Sequence, residues 1–265
     1  MSDSPPGHPE VERLVAPNPG PLTLAGTNTY LVADGGSVWV IDPGPAEPGH
    51  LAAISEAAAR RGGLAGILLT HSHADHSEAA GELGAPLLWG SISAGDESSP
   101  AGAGAAVEGR SPEQPADPVG PFRVVPTPGH SVDHVCLLVG RVCFCGDLVL
   151  GTGSSFVPPD GGSLAAYLDS LARLRGLDAE LLCPGHGPYV TDPRARIDEY
   201  VEHRLDRERR LVAALGDGVR SRRKLLDRAW DDVPPELRPA AALVMQAHLE
   251  KLAAEGRVAL GELVD

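Results

Sequence analysis

An α/β (α+β) fold, with sheet covered by helices and a small helical unit at its C-terminal side, is predicted by three features of this 265-residue chain. Short apolar runs are separated by Gly- and Pro-rich turn clusters, the spacing of strands rather than of long helices. Between residues 67 and 89 the order is strand, turn, helix, strand, the unit that lays a helix against a sheet. After Asp192-Pro193 the pattern changes to charged sequence of helical period.

Residues 1–14 carry Pro5, Pro6, Pro9 and several acids without periodicity, and are expected to form a mobile tail ending in an edge strand. The cluster Pro17-Asn18-Pro19-Gly20-Pro21 is a turn. Thr29-Tyr30-Leu31-Val32 and Val38-Trp39-Val40-Ile41, five residues apart, read as a β-hairpin ending in Asp42-Pro43-Gly44. Leu51, Ile54 and Ala58 have helical spacing over residues 50–61, with Gly62-Gly63 as the stop. Strand 67–69, a helix over 77–83 and strand 86–89 follow. Residues 91–118 have no apolar pattern, and a loop of this length is expected at the edge of a site or in disorder. Strands are then predicted at 122–126, 135–139 and 142–145, the last two around a tight Gly140-Arg141 turn. Ser163 opens a helix over 164–174 with Leu164, Leu168, Leu171 and Leu174 on one face. Strand 181–183 leads into Pro184-Gly185-His186. Beyond it, helices are expected over 194–215, 221–230 and 239–255, then a strand-like end at 256–260, which together suggest a winged-helix-like unit. The expected division is a tail at 1–14, a catalytic domain at 15–193 and a helical domain at 194–265.

The chain carries a net charge of −14, which argues against a generic nucleic-acid binder. Its basic residues gather late, since residues 195–265 hold 13 of the 22, eight of them from Arg204 to Lys224, against 14 acids. A solvated helical surface is the expected reading of that run. No apolar stretch approaches a membrane span, and the N-terminus lacks the basic-then-apolar order of a signal peptide. Cys136, Cys143, Cys145 and Cys183 lie on predicted strands with no zinc-ribbon or disulfide spacing, so they are expected to be buried, reduced and cytoplasmic.

The chemistry gathers at Thr70-His71-Ser72-His73-Ala74-Asp75-His76, where a strand hands over to a helix. Imidazole and carboxylate are the ligands of zinc and similar divalent ions, and one turn offers more of them than one catalytic ion takes. His71 and His73, two apart on extended backbone, can point the same way, while Asp75 and His76 can face a second ion. Asp42, His130, Asp147 and His186 also stand just past strand ends, where ligands gather in sheets packed between helices.

These residues resemble the five motifs of the metallo-β-lactamase superfamily. The resemblance implies a four-layer αββα sandwich, with His71, His73 and His130 on one metal, Asp75, His76 and His186 on the other, and Asp147 bridging. Asp42 would orient a ligand imidazole. His134, four residues past His130, is expected to support the site from behind the ligands. A narrower likeness, carried by Asn18-Pro19-Gly20-Pro21, Gly26-Thr27-Asn28-Thr29-Tyr30-Leu31-Val32, Thr127-Pro128-Gly129-His130 and Cys183-Pro184-Gly185-His186-Gly187-Pro188, is to the β-lactamase-like protein 2 group. That group, as the resemblance has it, includes thioesterases and a single-strand-specific endoribonuclease.

The expectation is therefore a hydrolase using hydroxide shared by two divalent ions, zinc first, manganese or iron also compatible. Asp75 would handle the proton. The expected substrate is a small or acyl-carrier-linked thioester, ester or lactone-like molecule, with single-stranded RNA as the alternative and no membrane partner. A mononuclear iron oxygenase is the reading from another class, and His76 weighs against it. His8, His50, His203 and His248 are expected to have no part in the site.

Overall fold

The computed structural model describes residues 2–90 and 118–265. Most of the expected 91–118 loop lies outside the described residues. Strands β1 (Ser2–Asp3), β2 (Val11–Val15), β3 (Asn28–Asp34), β4 (Ser37–Ile41), β5 (Leu64–Leu68) and β6 (Leu87–Trp89) form one sheet in that order. It is antiparallel from β1 to β4 and parallel from β4 to β6. A second sheet has the order β10 (Leu181–Pro184), β9 (Val142–Gly146), β8 (Val135–Val139) and β7 (Arg123–Pro126), with β10 parallel to β9.

Strand alternation builds the layers. On β8 and β9, Val135, Leu137, Val142 and Phe144 turn to the first sheet and meet Tyr30, Ile41, Leu68 and Trp89. Their neighbours Cys136, Leu138, Cys143 and Cys145 turn the other way, onto α3 (Leu164–Arg175) and α4 (Pro193–Gly216). The outer face of the first sheet packs on Ile54, Ala57 and Ala58 of α1 (Pro48–Ala59). The result is helix, sheet, sheet, helix. All four cysteines are buried and unpaired, and burial holds the Cys145 and Cys183 thiols well above their ordinary range.

Residues 2–14 correct the expected tail. β1 pairs with β2 and β2 with β3, Val11 is fully buried, and Arg13 binds Asp3 while its guanidinium lies 4.3 Å from the Tyr189 ring centre. A two-residue strand has no period to read, so its pairing came from tertiary partners. The helix expected at 77–83 also moves. α2 (Ala74–Ser77) starts earlier and gives way to a 3₁₀ turn over Glu78–Glu82. The Gly44 N–H donates to the His76 carbonyl at 3.0 Å and the Ala79 N–H donates to the Gly44 carbonyl at 2.9 Å, which interrupts the α ladder there.

α5 (Arg222–Ala229) and α6 (Arg238–Ala254) enclose a separate cluster with the end of α4, centred on Leu211, Leu225, Trp230, Met245 and Leu249. The strand-like end expected at 256–260 is not a strand; a 3₁₀ turn occupies Leu260–Glu262 and the pairing is a single parallel bridge between Ser221 and Val264. α4 belongs to both bodies, since Ile197 and Tyr200 pack under the second sheet.

His248 on α6 is fully buried beside Trp230, and neither ring nitrogen has a hydrogen-bond partner among the described residues. Burial, then Arg204 and Lys251, hold its pKa well below the ordinary 6.5. Folded His248 is therefore neutral where unfolded His248 takes up a proton, so stability falls as pH drops below about 6.5 and is level above it. His248→Leu should raise the thermal midpoint, more at pH 5.5 than at pH 8, in melts followed by circular dichroism. An equal shift at both pH values would remove the titration from the account.

Candidate metal centre

The site stands where the strands of both sheets end. Asp42 follows β4, residues 70–76 follow β5, His130 lies on the β7–β8 connection, Asp147 follows β9 and His186 follows β10. Asp42 is the hub of the first group. It is buried with φ at +49°, a left-handed conformation that Asp tolerates better than bulkier residues, and this turns its carboxylate inward. The Thr70 N–H and hydroxyl donate to its two oxygens, each at 2.7 Å, and His76 Nδ1 faces Oδ2 at 3.0 Å.

His71 Nε2 lies 2.9 Å from His73 Nδ1, and His130 Nε2 lies 3.0 Å from that same nitrogen. Asp75 Oδ2 is 3.5 Å from His76 Nε2 and 3.3 Å from His186 Nε2. Asp147 reaches both groups, at 3.7 Å from His130 Nε2, 3.6 Å from His76 Nε2 and 3.4 Å from His186 Nε2. Gly185 lets the strands approach this closely: a Cβ there would stand 2.3 Å from Asp147 Oδ1 and 2.6 Å from His76 Cε1.

The donor set fits divalent cations. Ligand atoms of His71, His73 and His130 lie within 4.8 Å of one another, and so do those of Asp75, His76 and His186. One proton can link His73 to only one of its two imidazole neighbours, whereas a cation satisfies all three nitrogens at once. His76 Nε2 and Asp147 Oδ1 are buried with no hydrogen-bond partner among the described residues.

Charge is arranged in the same sense. Burial, then His76 and His130, push His71 well below its ordinary range, which keeps its imidazole neutral. Burial opposes the charged forms of His186 and Asp147, but mutual attraction wins: His186 is raised to about 9 and Asp147 falls well below the usual carboxylate range.

His134 sits behind this set. Its Nδ1 lies 2.9 Å from Thr127 Oγ1 and its ring centre 5.2 Å from that of His71, and it falls in none of the ligand groups. Other supports lie outside the motifs read as ligands. The Thr29 hydroxyl donates to the Asp42 carbonyl and faces His50 Nε2 at 2.8 Å, so His50 braces the Asp42 turn. Asn18 holds Thr27, whose hydroxyl lies 3.3 Å from Asp75 Oδ2, and Asn28 donates to the Pro184 and Gly187 carbonyls on either side of His186. The signal in the sequence was three polar residues in a row, Thr27, Asn28 and Thr29, at the head of an apolar strand, and the structure buries all three.

A cavity of about 570 Å³ opens over His73, Asp75, His130, Asp147 and His186, and its far wall comes from α4, Trp230 and α6. Its size suits a small-molecule site. His203, expected to stand apart, lines it too.

Four layers with a His and Asp cluster at the carboxyl ends of both sheets define a metal-dependent hydrolase. Residues 22–186 match the metallo-beta-lactamase superfamily and residues 221–262 the beta-lactamase associated winged helix domain, and the chain belongs to that superfamily. The beta-lactamase-like protein 2 homolog of Caenorhabditis elegans is 30% identical, covering 94% of this chain and 85% of that one. The atrochrysone carboxyl ACP thioesterase of Aspergillus chevalieri is 32% identical, covering 95% and 83%. A metallo-beta-lactamase family protein of Thermus thermophilus superposes with a TM-score of 0.73 at 26% identity, covering 95% of each chain.

Asp42→Asn keeps the size of the side chain but sets an amide against His76 Nδ1. An amide N–H there favours the tautomer with the proton on Nε2, which cannot bind a metal. Divalent-ion affinity should fall roughly 10- to 100-fold, read by competition with a chromophoric chelator while circular dichroism stays unchanged. Unaltered affinity would show that Asp42 acts on the fold alone.

Proposed function

We propose that this chain hydrolyses an acyl thioester, or a related ester- or lactone-like bond, with two divalent ions, zinc expected, held by His71, His73 and His130 and by Asp75, His76 and His186, with Asp147 between them. The observation that carries this reading is that both ligand groups converge beside Asp147 at the base of a cavity with an apolar wall. The thioesterase relative supports the choice of bond.

When bound, such ions make water acidic enough to yield a nucleophile near neutral pH and polarise the carbonyl oxygen under attack. Asp75 lines the cavity and is the more accessible of the two carboxylates, at 31% side-chain exposure against 12% for Asp147. It takes the proton as water adds to the carbonyl carbon. The carbon–sulfur bond then breaks, and the proton leaves with the thiol. His130 is fixed for its part by the Phe156 carbonyl, 2.6 Å from Nδ1.

The part of the basic run from Arg204 to Arg220 lends RNA cleavage no support. Arg207, Arg209, Arg210 and Arg220 each have an acidic partner, and Arg204 is buried. Reversing all four arginines of 204–210 would therefore disturb the fold as well as the surface charge, and Arg209 and Arg210 are the sound test of RNA contact.

Asp75→Asn and His73→Ala should each lower thioester turnover by about 10²–10⁴-fold with the fold retained, and exhaustive chelation should abolish it, in assays of acyl thioesters, lactones, β-lactams and single-stranded RNA. Full activity after chelation would end the reading. Arg209→Glu with Arg210→Glu should leave thioester hydrolysis intact, whereas salt-sensitive RNA cleavage lost in that variant would favour the ribonuclease.

A further inference from the structure

The cavity wall opposite the metal ligands contains a charge that its surroundings do not balance. Arg204 on α4 is 2% exposed and lines the cavity. Its guanidinium binds the Ser155 carbonyl and lies 5.3 Å from the Tyr167 ring centre. No carboxylate among the described residues forms an ion pair with it, and its Nε has no partner. One turn along, Arg207 is 4% exposed and also lines the cavity; Asp232 and the Ala229 carbonyl occupy its terminal nitrogens, and its Nε too is unpartnered.

A buried cation without an anion is costly, and a solvent-facing surface would have relieved it. The neighbouring titratable groups supply no counter-charge. His203 is held near 4, by burial and then by Arg204 and Arg207, so it stays neutral at pH 7. Asp75 and Asp147 face the imidazoles of the metal cluster. Around the arginines the wall is apolar, with Phe156, Trp230, Leu237 and Val244.

We propose that Arg204 receives an anionic group of the substrate, so that the molecule hydrolysed joins an apolar body to a carboxylate or phosphate. This deepens, and rests on, the acyl-hydrolase reading above. The planar guanidinium suits either group. The carboxylate would belong to the acyl part, the phosphate to a carrier arm on the thiol side.

Two matched pairs of thioesters separate the sources, assayed with metal-loaded protein. The first pair is 4-carboxybenzoyl and 4-carbamoylbenzoyl N-acetylcysteamine; the second is benzoyl phosphopantetheine and benzoyl pantetheine. In one pair kcat/KM should favour the anion by about tenfold or more, mostly through KM. Arg204→Gln should bring that ratio to about one, and Arg204→Lys, which keeps the charge, should restore part of it. Because Arg204 also holds Ser155, absolute rates fall in both variants and the ratio is the reading. A response in the first pair places the anion on the acyl group, and one in the second places it on the carrier. Ratios near one in wild type, or a ratio that survives Arg204→Gln in folded protein, overturn the proposal and leave the hydrolase reading standing. If no thioester is hydrolysed, that reading fails, and titration with naphthalene-2-carboxylate and naphthalene-2-carboxamide decides the arginine site by itself. Tighter carboxylate binding lost in Arg204→Gln sustains it, and equal binding ends it.

Discussion

The Asp42 carboxylate is the constraint on which the site depends. It is buried at the end of β4 in a left-handed turn, and its two oxygens take the Thr70 N–H, the Thr70 hydroxyl and the His76 ring. Those contacts tie together the ends of two parallel strands and the start of α2. With them, the His76 ring is held directly and the His71 ring through Thr70 Oγ1, 3.0 Å from its Nδ1. A buried carboxylate is stable only when its lone pairs are occupied, so the same bonds that orient the histidines make the burial tolerable.

The second sheet brings its share by a different route. Asp147 and His186 are carried by β9 and β10, parallel neighbours that end together, and Gly185 removes the one side chain that would hold them apart. The loop after Asp147 is then fastened by the outer helices. The Tyr167 hydroxyl donates to the Leu148 carbonyl, the Leu150 N–H donates to the Tyr200 hydroxyl, Arg196 binds the Leu150 and Gly153 carbonyls, and Ser155 Oγ closes on the Asp147 carbonyl. Asp147, at the head of that loop, thus acquires the rigidity of the helices beneath it.

Much of this was legible in the residues. Strand alternation placed Cys143 and Cys145 on one face, and the His and Asp residues were visible because each follows an apolar run. Other parts were not. β1 is too short to show a period, and its place in the sheet depends on Arg13, whose partners Asp3 and Gly187 are far apart in the chain. Arg204 and Arg207 look like any other charges on a helix until α4 is seen to cross under the cavity. His50 acts through Thr29, a relation that spans 21 positions and has no local sign. What sequence reveals poorly here is burial of polar groups, because it depends on which elements pack together and not on the pattern within any one of them.

The double membership of α4 has a wider consequence. Its first turns are buried against the second sheet, its middle faces the cavity, and its end belongs to the terminal helical cluster. The His and Asp cluster stands on strand ends, while the helix that joins the two hydrophobic bodies supplies part of the cavity wall above it. A shift of that rod would be felt at once in the packing of the second sheet, in the cavity wall and in the terminal cluster.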